Sequence, residues 1–333
     1  MRSAGFDRAI PLQIWAVSDG KAGHAHQALG LAQAIARRTS AQISVKRVAL
    51  RTPYVWLAPD WTPAPLQALT LASDPIRPPW PDIWIACGRQ TAALTKAVRH
   101  YAGRACFCVQ LQDPRANLRE FDLIVAPAHD GLEAPNLIPS LGALHRIHPA
   151  LLEDAAQENH LLLGLAAPRL AVLIGGDSKR QRISAKRASA LAAPLVRLAR
   201  TGASLMVSLS RRTGAPARAV LEAGLKPHSA LWWDQIGPNP YLAMLGVADH
   251  LLVTADSVSM ATEAAATGKP VHILPVDGQP GKLQAFHGAL QAHGAARPFR
   301  LPLAAWSYPI LNESERVAER VLAAAFARLR QGA

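Results

Sequence analysis

Residues 249–275 constrain the fold of this chain more than any other stretch. The apolar run at 251–253 has the length of a buried strand, and small polar residues follow it directly. Apolar side chains then recur at helical spacing over 257–267, Gly268 ends the pattern, and a second apolar run occupies 271–274. The stretch is therefore predicted to be a strand–loop–helix–strand unit, the building block of parallel α/β sheets.

The loop of this unit carries groups suited to an anionic ligand. Open α/β sheets bind ligands at the carboxyl ends of their strands, where Thr254, Asp256 and Ser257 lie. The helix that begins there offers free backbone N–H groups and a positive dipole end to an anion such as a phosphate. One turn into the helix, the Glu263 carboxylate is placed to accept hydrogen bonds from sugar hydroxyls. The alternative is a simple helix cap, with Asp256 or Ser257 as the N-cap and Glu263 in solvent.

The same order of elements recurs along the chain and predicts two domains. Strand-like runs alternate with amphipathic helical patterns over 13–126 and again from residue 169 onward. The alternation weakens at 136–149, and one helix is predicted at 151–163. We therefore predict an α/β protein with two Rossmann-like, doubly wound parallel-sheet domains, residues 1–148 and 149–312, in a chain of 333 residues.

Residues 51–81 interrupt this alternation. They contain eight prolines together with Trp56, Trp61 and Trp80, which predicts an irregular excursion around one short helix at 65–72. Tryptophans in such a segment more often pack the loop onto its own domain. The alternative is contact with a membrane interface, where tryptophan is enriched.

The net charge of +13 favours anionic partners without choosing among nucleotides, nucleic acid and an acidic membrane surface. No base-stacking or groove-reading motif is evident, which disfavours nucleic acid. No apolar run approaches the ~20 residues that span a bilayer, and no signal-peptide pattern begins the chain. We therefore expect a cytoplasmic location, with peripheral contact at the inner face of an acidic membrane as an option.

The three cysteines, Cys87, Cys106 and Cys108, lie in or beside apolar runs and form no CxxC pair. They are expected to be reduced core thiols rather than a metal site or a disulfide frame. We expect no metal and no permanently bound cofactor.

A run of basic residues in the second domain predicts a pyrophosphate site. Ten basic residues and no acidic one lie between residues 179 and 218. Parallel strands place the loops after the first two strands of this domain on the same edge as Ser257. Backbone donors and mobile positive charge in these loops suit a pyrophosphate, and a solvated basic face is the alternative. The predicted ligand residues of these two loops are Gly175, Gly176, Ser178, Lys179, Ser210, Arg211 and Arg212.

The first domain carries a candidate acid or base. A strand at 13–18 runs into a loop with Asp19, Gly20 and Gly23, and His24 follows at the start of a helix. The glycines permit tight turns and close approach to a ligand, although the spacing is not that of a dinucleotide fingerprint. An imidazole can exchange a proton near neutral pH, and the Asp19 carboxylate is close enough in sequence to orient it. The alternative is that His24 only caps or packs the helix.

Several motifs together resemble one known family. They are WAVSDGKAGHAHQALGLAQAI, LIGGDSKR, SLSRRTG, the NPY of residues 239–241, VTADSVSMATEAAATGKPV and FHGALQAHGAARPF. Nearly the whole chain resembles the bacterial and plant family named after the plant mitochondrial-fission (elongated-mitochondria) protein. In the plant member the recorded role is to recruit a dynamin-like GTPase to mitochondria, which implies a non-catalytic alternative for this chain.

The chain is also similar, more distantly, to GT-B glycosyltransferases and nucleotide-sugar 2-epimerases. The loop that ends in His24 resembles that of the transferase that adds N-acetylglucosamine to lipid-linked peptidoglycan precursors, although it has Lys21 and Ala22 where the transferase has more glycine.

The GT-B resemblance implies two domains that face a cleft, with a final helix at 313–330 that packs back on the first domain. It also implies that Ser257 and Ser259 meet a diphosphate and that Glu263 meets a ribose. Asn239 and Tyr241, from the NPY motif of the fission-family resemblance, are expected to belong to the same site. The expected substrate is a nucleoside-diphosphate sugar, with an acceptor that the sequence does not specify. The expected function is that of a glycosyltransferase or an epimerase.

Overall fold

The computed structural model describes residues 10–178 and 180–330. The chain divides into two compact units, one formed by residues up to Arg146 and from Asn312 onward, the other by Ile147–Leu311. This division falls two residues from the boundary that the sequence pattern predicts.

The first unit is built on a six-stranded parallel sheet with the strand order β2-β1-β3-β4-β5-β6. Its strands are β1 (Leu12–Ser18), β2 (Ala41–Arg47), β3 (Ile83–Cys87), β4 (Phe107–Leu111), β5 (Leu123–Pro127) and β6 (Leu137–Ser140), and α1 (Ala22–Ala36) and α2 (Arg89–Ala102) are its first two helices. β3 and β4 are buried along their whole length, which explains why β3 is a continuous apolar run and why β4 is apolar except for the buried, hydrogen-bonded Gln110. The strand order changes direction between β1 and β3, so this sheet has its switch point there.

The second unit has a six-stranded parallel sheet with the order β10-β9-β7-β11-β12-β14. Its main strands are β7 (Arg169–Ile174), β9 (Ser204–Leu209), β10 (Ser229–Trp233), β11 (His250–Thr254), β12 (Val271–Leu274) and β14 (Ala296–Pro298), and β8 (Gln181–Arg182) and β13 (Asp277–Gly278) form a small antiparallel pair. Its helices are α3 (Pro149–Gln157), α4 (His160–Leu163), α5 (Ala185–Arg200), α6 (Ala215–Leu225), α7 (Tyr241–Val247), α8 (Val258–Ala265) and α9 (Leu283–Ala292). When the strands of this sheet alone are numbered along the chain, their spatial order is 3-2-1-4-5-6, which is that of a Rossmann fold, and the switch point lies between β7 and β11.

The final helix α10 (Glu313–Arg330) belongs to the first unit. Its apolar face, from Val317 to Phe326, joins the core that lies between α1 and the sheet. Its first turn is fastened to the end of that sheet, because Glu313 accepts a hydrogen bond from the Leu141 N–H at 2.7 Å. Ser314 accepts a hydrogen bond from the His145 N–H and donates one to the His145 carbonyl.

The prediction of two Rossmann-like α/β sheets is confirmed, but several elements differ from their sequence patterns. The helix expected at 65–72 is wrong, because these residues form turns and Leu69 pairs with Leu50 in an isolated β-bridge. The helix expected at 151–163 is two helices, since Asn159 caps α4 by accepting a hydrogen bond from the Leu162 N–H. The short strands β6 and β14 were not predicted, because neither is a continuous apolar run: β6 contains Pro139 and Ser140, and β14 contains Arg297 and Pro298.

In the part of the chain that the structure describes, none of the helices combines the length and the apolar character needed to cross a bilayer. The three cysteines are buried, and the Sγ atoms of Cys106 and Cys108 lie 3.8 Å apart.

Candidate functional site

The switch point of the second sheet brings the loops after β7 and β11 into direct contact. The Gly175 N–H donates to the Thr254 hydroxyl at 2.7 Å, and the Gly176 N–H donates to Asp256 Oδ2 at 2.8 Å. A Cβ atom on Gly175 would lie only 2.1 Å from Asp256 Oδ2. Glycine is therefore required here for the close approach of two loops, and the two glycine N–H groups already have partners within the protein.

The loop after β9 closes on the same point. A Cβ atom on Gly176 would lie 2.1 Å from the backbone carbonyl carbon of Arg212. The Thr213 hydroxyl donates to the Gly175 carbonyl at 2.6 Å, and the Asp177 N–H donates to the Arg212 carbonyl at 3.0 Å. Three strand-end loops are thus locked together, and Thr213 is a member of this arrangement that the sequence did not single out.

Asp256 holds this arrangement from inside. Its side chain has no exposed surface, and the Arg212 guanidinium lies 3.8 Å away. Burial raises the pKa of Asp256, against the opposing effect of its hydrogen bonds with Thr254 and Gly176 and of the Arg212 charge. The structure therefore places Asp256 as a support for the loops, whereas the sequence suggested a residue that faces the ligand.

The start of α8 offers N–H donors for an anion, which Gly175 and Gly176 cannot do because their own N–H groups are engaged. Ser257 is the N-cap and accepts a hydrogen bond from the Met260 N–H at 3.3 Å, as the capping alternative expects. The first N–H groups of a helix have no partner within the helix, and they carry the positive end of its dipole. Ser259 lies in this first turn and is partly exposed. An anion at this edge would therefore be bound by the helix start and the Ser259 hydroxyl.

The basic run from 179 to 218 is not one uniform cationic face. Arg187 is paired with Asp277 at 3.0 Å, and Ser184 hydrogen bonds together with that guanidinium hold the pKa of Asp277 at about 2. Arg218 donates to the Ser210 carbonyl at 3.1 Å. Among the described residues of the three loops, Arg180 and Arg211 are exposed cations and Arg212 is half-exposed.

The remaining predicted residues of these loops serve local turns. The Ser178 hydroxyl accepts a hydrogen bond from the Gln181 N–H at 3.1 Å, and the Ser210 hydroxyl accepts one from the Arg212 N–H at 3.1 Å. The Ser178 hydroxyl thus shapes the loop after β7, and the Ser210 hydroxyl shapes the loop that carries Arg211 and Arg212. Lys179 lies outside the described residues.

Tyr241 and Glu263 form a pair that the sequence placed in one site without linking them. The Tyr241 hydroxyl, at the start of α7, donates to Glu263 Oε2 at 2.6 Å. Burial raises the pKa of Glu263 to about 7, although the Tyr241 hydrogen bond lowers it. Burial also raises the pKa of the Tyr241 hydroxyl, and the Glu263 charge adds to this effect.

The alternative that leaves Glu263 in solvent is therefore wrong. Asn239 acts locally, since its side-chain oxygen accepts a hydrogen bond from the Tyr241 N–H at 3.0 Å and so fixes the start of α7.

His287 is a further residue near this edge that the sequence did not single out. Its Nε2 lies 2.8 Å from the Ala255 carbonyl, and the side chain is buried. Burial lowers the pKa of His287, while the Ala255 hydrogen bond and the nearby Asp256 charge oppose this shift. His287 lies in the motif FHGALQAHGAARPF, which was the available signal. The helical pattern of this motif does not distinguish a histidine of a site from any other histidine.

The switch point of the first sheet holds the candidate acid or base. His24 Nδ1 lies 2.7 Å from Asp19 Oδ1, in the turn that joins β1 to α1. Burial of Asp19 raises its pKa, but the His24 hydrogen bond and charge and the contacts with Lys21 outweigh this and lower it. The Asp19 carboxylate is thus held in its charged form, which orients the imidazole.

Gly88 completes this turn from the neighbouring strand. It has a φ of +100° at the end of β3, and a Cβ atom there would lie 2.5 Å from His24 Nδ1. Gly20 has a φ of +80° and requires the same freedom. Gly23, by contrast, lies in α1 with nothing within 4 Å of a Cβ, so the structure shows no close approach that would require a glycine there.

Comparison with known proteins places the chain in a family. The family model described as Mitochondrial fission ELM1 matches residues 22–325. The chain belongs to this family. It is 34% identical over 270 residues to the mitochondrial fission protein ELM1 of Arabidopsis thaliana, which covers 72% of this chain and 63% of the plant protein, less than two thirds of its length. It is 27% identical to protein RP120 of Rickettsia prowazekii over 92% of this chain and 97% of that protein.

One solved structure supports the fold. The UDP-GlcNAc 2-epimerase of Methanocaldococcus jannaschii matches with a TM-score of 0.52 and 10% identity, over 94% of this chain and 99% of that one. At this low identity, the similarity shows that the chain has a GT-B-like fold and does not assign it an activity.

Proposed function

We propose that this chain binds a nucleoside-diphosphate sugar at the switch point of its second sheet and acts on it as a glycosyltransferase or an epimerase. One observation carries the proposal. A capped helix start with Ser259 in its first turn, two arginines and a partly buried carboxyl–phenol pair belong to neighbouring strand-end loops of one Rossmann-like sheet.

The parts of this edge match the parts of such a ligand. The helix start and Arg211 and Arg212 suit a diphosphate, because they provide a dipole and guanidinium donors. The Glu263 carboxylate suits a ribose, because an ionised carboxylate accepts hydrogen bonds from two hydroxyl groups. A fold neighbour named for UDP-GlcNAc makes uridine diphosphate sugars the first ligands to test.

The binding half of the proposal is tested by thermal unfolding with a panel of nucleoside-diphosphate sugars, since a ligand of the native state raises its stability by mass action. Glu263→Ala should remove most of the stabilisation by the best ligand. Glu222→Ala is the control, because Glu222 is an exposed carboxylate on α6 that pairs with Lys226. A panel without any stabilising ligand, or equal stabilisation of both variants, would contradict a donor site at Glu263.

The catalytic half rests on His24 and Asp19 in the first unit. If His24 exchanges a proton with the substrate, His24→Ala should lower turnover by about a hundredfold or more with little change in nucleotide affinity. The family name supports the competing function, in which the chain recruits a partner and needs no catalysis. A His24→Ala variant that fully replaces the natural protein in a deletion strain would favour that competing function.

A further inference from the structure

The excursion at 51–81 exposes large apolar side chains that its packing does not require. Trp56 is 71% exposed and Trp61 is 79% exposed, and both lie in two consecutive 3-10 turns, Tyr54–Trp56 and Pro59–Trp61. Leu57, between these turns, is also exposed. We call Trp56, Leu57 and Trp61 the tryptophan surface.

The same excursion already has a side that packs onto its own unit. Tyr54, Val55 and Trp80 pack against the core cluster that contains Trp84 and Leu94. The expectation that the tryptophans pack onto the domain therefore holds for Trp80 and is wrong for the tryptophan surface. The excursion therefore has one apolar face packed on the core and a second apolar face exposed to solvent. An exposed apolar face of this kind is typical of a surface that binds a protein partner or a membrane.

The tryptophan surface is held by contacts on both sides of it. Arg89, the first residue of α2, donates to the Val55 and Leu57 carbonyls at 2.9 and 3.2 Å. Lys96, two turns along the same helix, pairs with Asp60 at 2.5 Å, and the Asn117 N–H donates to the other oxygen of that carboxylate at 2.9 Å. Because these anchors already fix the backbone, the segment has less backbone conformational entropy to lose on binding.

The excursion contains two cations and two carboxylates, and both carboxylates are engaged within the protein. Its carboxylates are Asp60, which is engaged as above, and Asp74, which accepts a hydrogen bond from the Arg47 N–H at 2.6 Å. Its cations, Arg51 and Arg77, are exposed. The whole chain adds a net charge of +13, which attracts it toward anionic lipid headgroups.

We propose that the tryptophan surface docks on an anionic phospholipid membrane, with Trp56 and Trp61 inserted at the headgroup level and Arg51 and Arg77 facing the lipid phosphates. Tryptophan suits this depth because its ring is apolar while its indole N–H keeps a polar partner. Two aromatic anchors with nearby basic residues make a peripheral and reversible contact.

The docked face would adjoin the turn that contains His24. Gly88 approaches the His24 ring, and the next residue, Arg89, holds the backbone of the tryptophan surface. Docking would therefore bring the Asp19–His24 turn close to the lipid headgroups. This inference does not depend on the second unit binding a nucleotide, so the two proposals succeed or fail separately.

The test is flotation of the full chain with vesicles of phosphatidylcholine alone and with about a third phosphatidylglycerol, at low and high salt. We expect binding to the anionic vesicles that weakens with salt, and quenching of tryptophan fluorescence by brominated lipids. The double variant Trp56→Ser, Trp61→Ser should lower the partition coefficient by about tenfold for each tryptophan removed and abolish the quenching. The matched control is Leu161→Ser, Ile236→Ser, which removes side chains that are 85% and 79% exposed in the second unit.

A second variant keeps the test independent of the folding of the first. Arg77→Glu leaves both tryptophans in place and should lower binding to the anionic vesicles about fivefold, with a smaller salt dependence. No binding of the natural chain, equal loss in the tryptophan and control variants, or tryptophan-dependent self-association without vesicle binding would each overturn the proposal. The last outcome would make the tryptophan surface an interface between copies of the chain.

Discussion

Replacement of Glu263 by glutamine is expected to stabilise the protein above neutral pH. Burial raises the pKa of Glu263 from its ordinary value of 4.5 to about 7, against the lowering effect of the Tyr241 hydrogen bond. Between these two values the native state holds a proton that the unfolded chain has released. The stability contribution of this carboxyl group is therefore complete below about pH 4.5 and is lost as the pH rises through about 7.

The magnitude follows from the same pKa values. Each pKa unit corresponds to ~1.4 kcal/mol, so ionised Glu263 costs about 3 kcal/mol of unfolding free energy at alkaline pH. Partial exposure of this residue reduces the figure to about 2–3 kcal/mol. Glutamine is neutral and of the same shape, and its carbonyl can still accept the Tyr241 hydrogen bond. The stability gain of Glu263→Gln should accordingly grow from near zero at about pH 4.5 to about 2–3 kcal/mol at about pH 8.

Urea unfolding at several pH values, followed by circular dichroism, measures this difference directly. Glu222→Gln is the matched control, because it neutralises an exposed carboxylate in the same unit and should show little change with pH. Tyr241→Phe should act in the opposite direction, because without the phenol donor the charged carboxylate becomes more costly. A gain from Glu263→Gln that is independent of pH, or a loss at alkaline pH, would refute the assignment of Glu263 as a buried, ionisable group.

Three further expectations concern the same unit. Gly176→Ala should lower the free energy of unfolding by about 1–3 kcal/mol in urea unfolding, because its Cβ would lie 2.1 Å from the Arg212 backbone. The control Gly288→Ala, whose Cβ would have nothing within 4 Å, should be neutral or stabilising, and equal effects of the two variants would argue against the packed loops. Burial, aided by neighbouring positive groups, lowers the pKa of His272 to about 4, so stability should fall by up to about 3 kcal/mol as the pH drops from about 6.5 to 4, and His272→Gln should flatten this dependence in the same assay. Arg211→Ala and Arg212→Ala should each weaken nucleotide binding and its dependence on salt in calorimetry, and unchanged affinity in both would move the anion site elsewhere.

The fold was accessible from the sequence because its signals are local. Continuous apolar runs such as that of β11, followed by small polar residues and a helical period, specify a buried parallel strand and its crossover helix without reference to the rest of the chain. The short strand β14 and the turns at 65–72 escaped, because their conformation depends on partners distant in sequence, such as Leu50 for Leu69.

The candidate site was accessible only in outline. The sequence placed Thr254, Asp256 and Ser257 at a strand end, where polar residues of a parallel sheet collect. It could not show that the Gly175 and Gly176 N–H groups are taken by Thr254 and Asp256, since those contacts join residues about eighty positions apart in the chain.

The sequence by itself determined the kind of sheet, the number of Rossmann-like units and the family, because apolar period, turn residues and motifs are properties of consecutive residues. The tertiary structure alone decided which polar groups remain for a ligand. It buried Asp256, paired Glu263 with Tyr241, set Gly88 against His24 and left Trp56 and Trp61 in solvent. The physical reason is that burial, and with it the pKa of a carboxyl group or the exposure of an indole, is set by neighbours that only folding brings together.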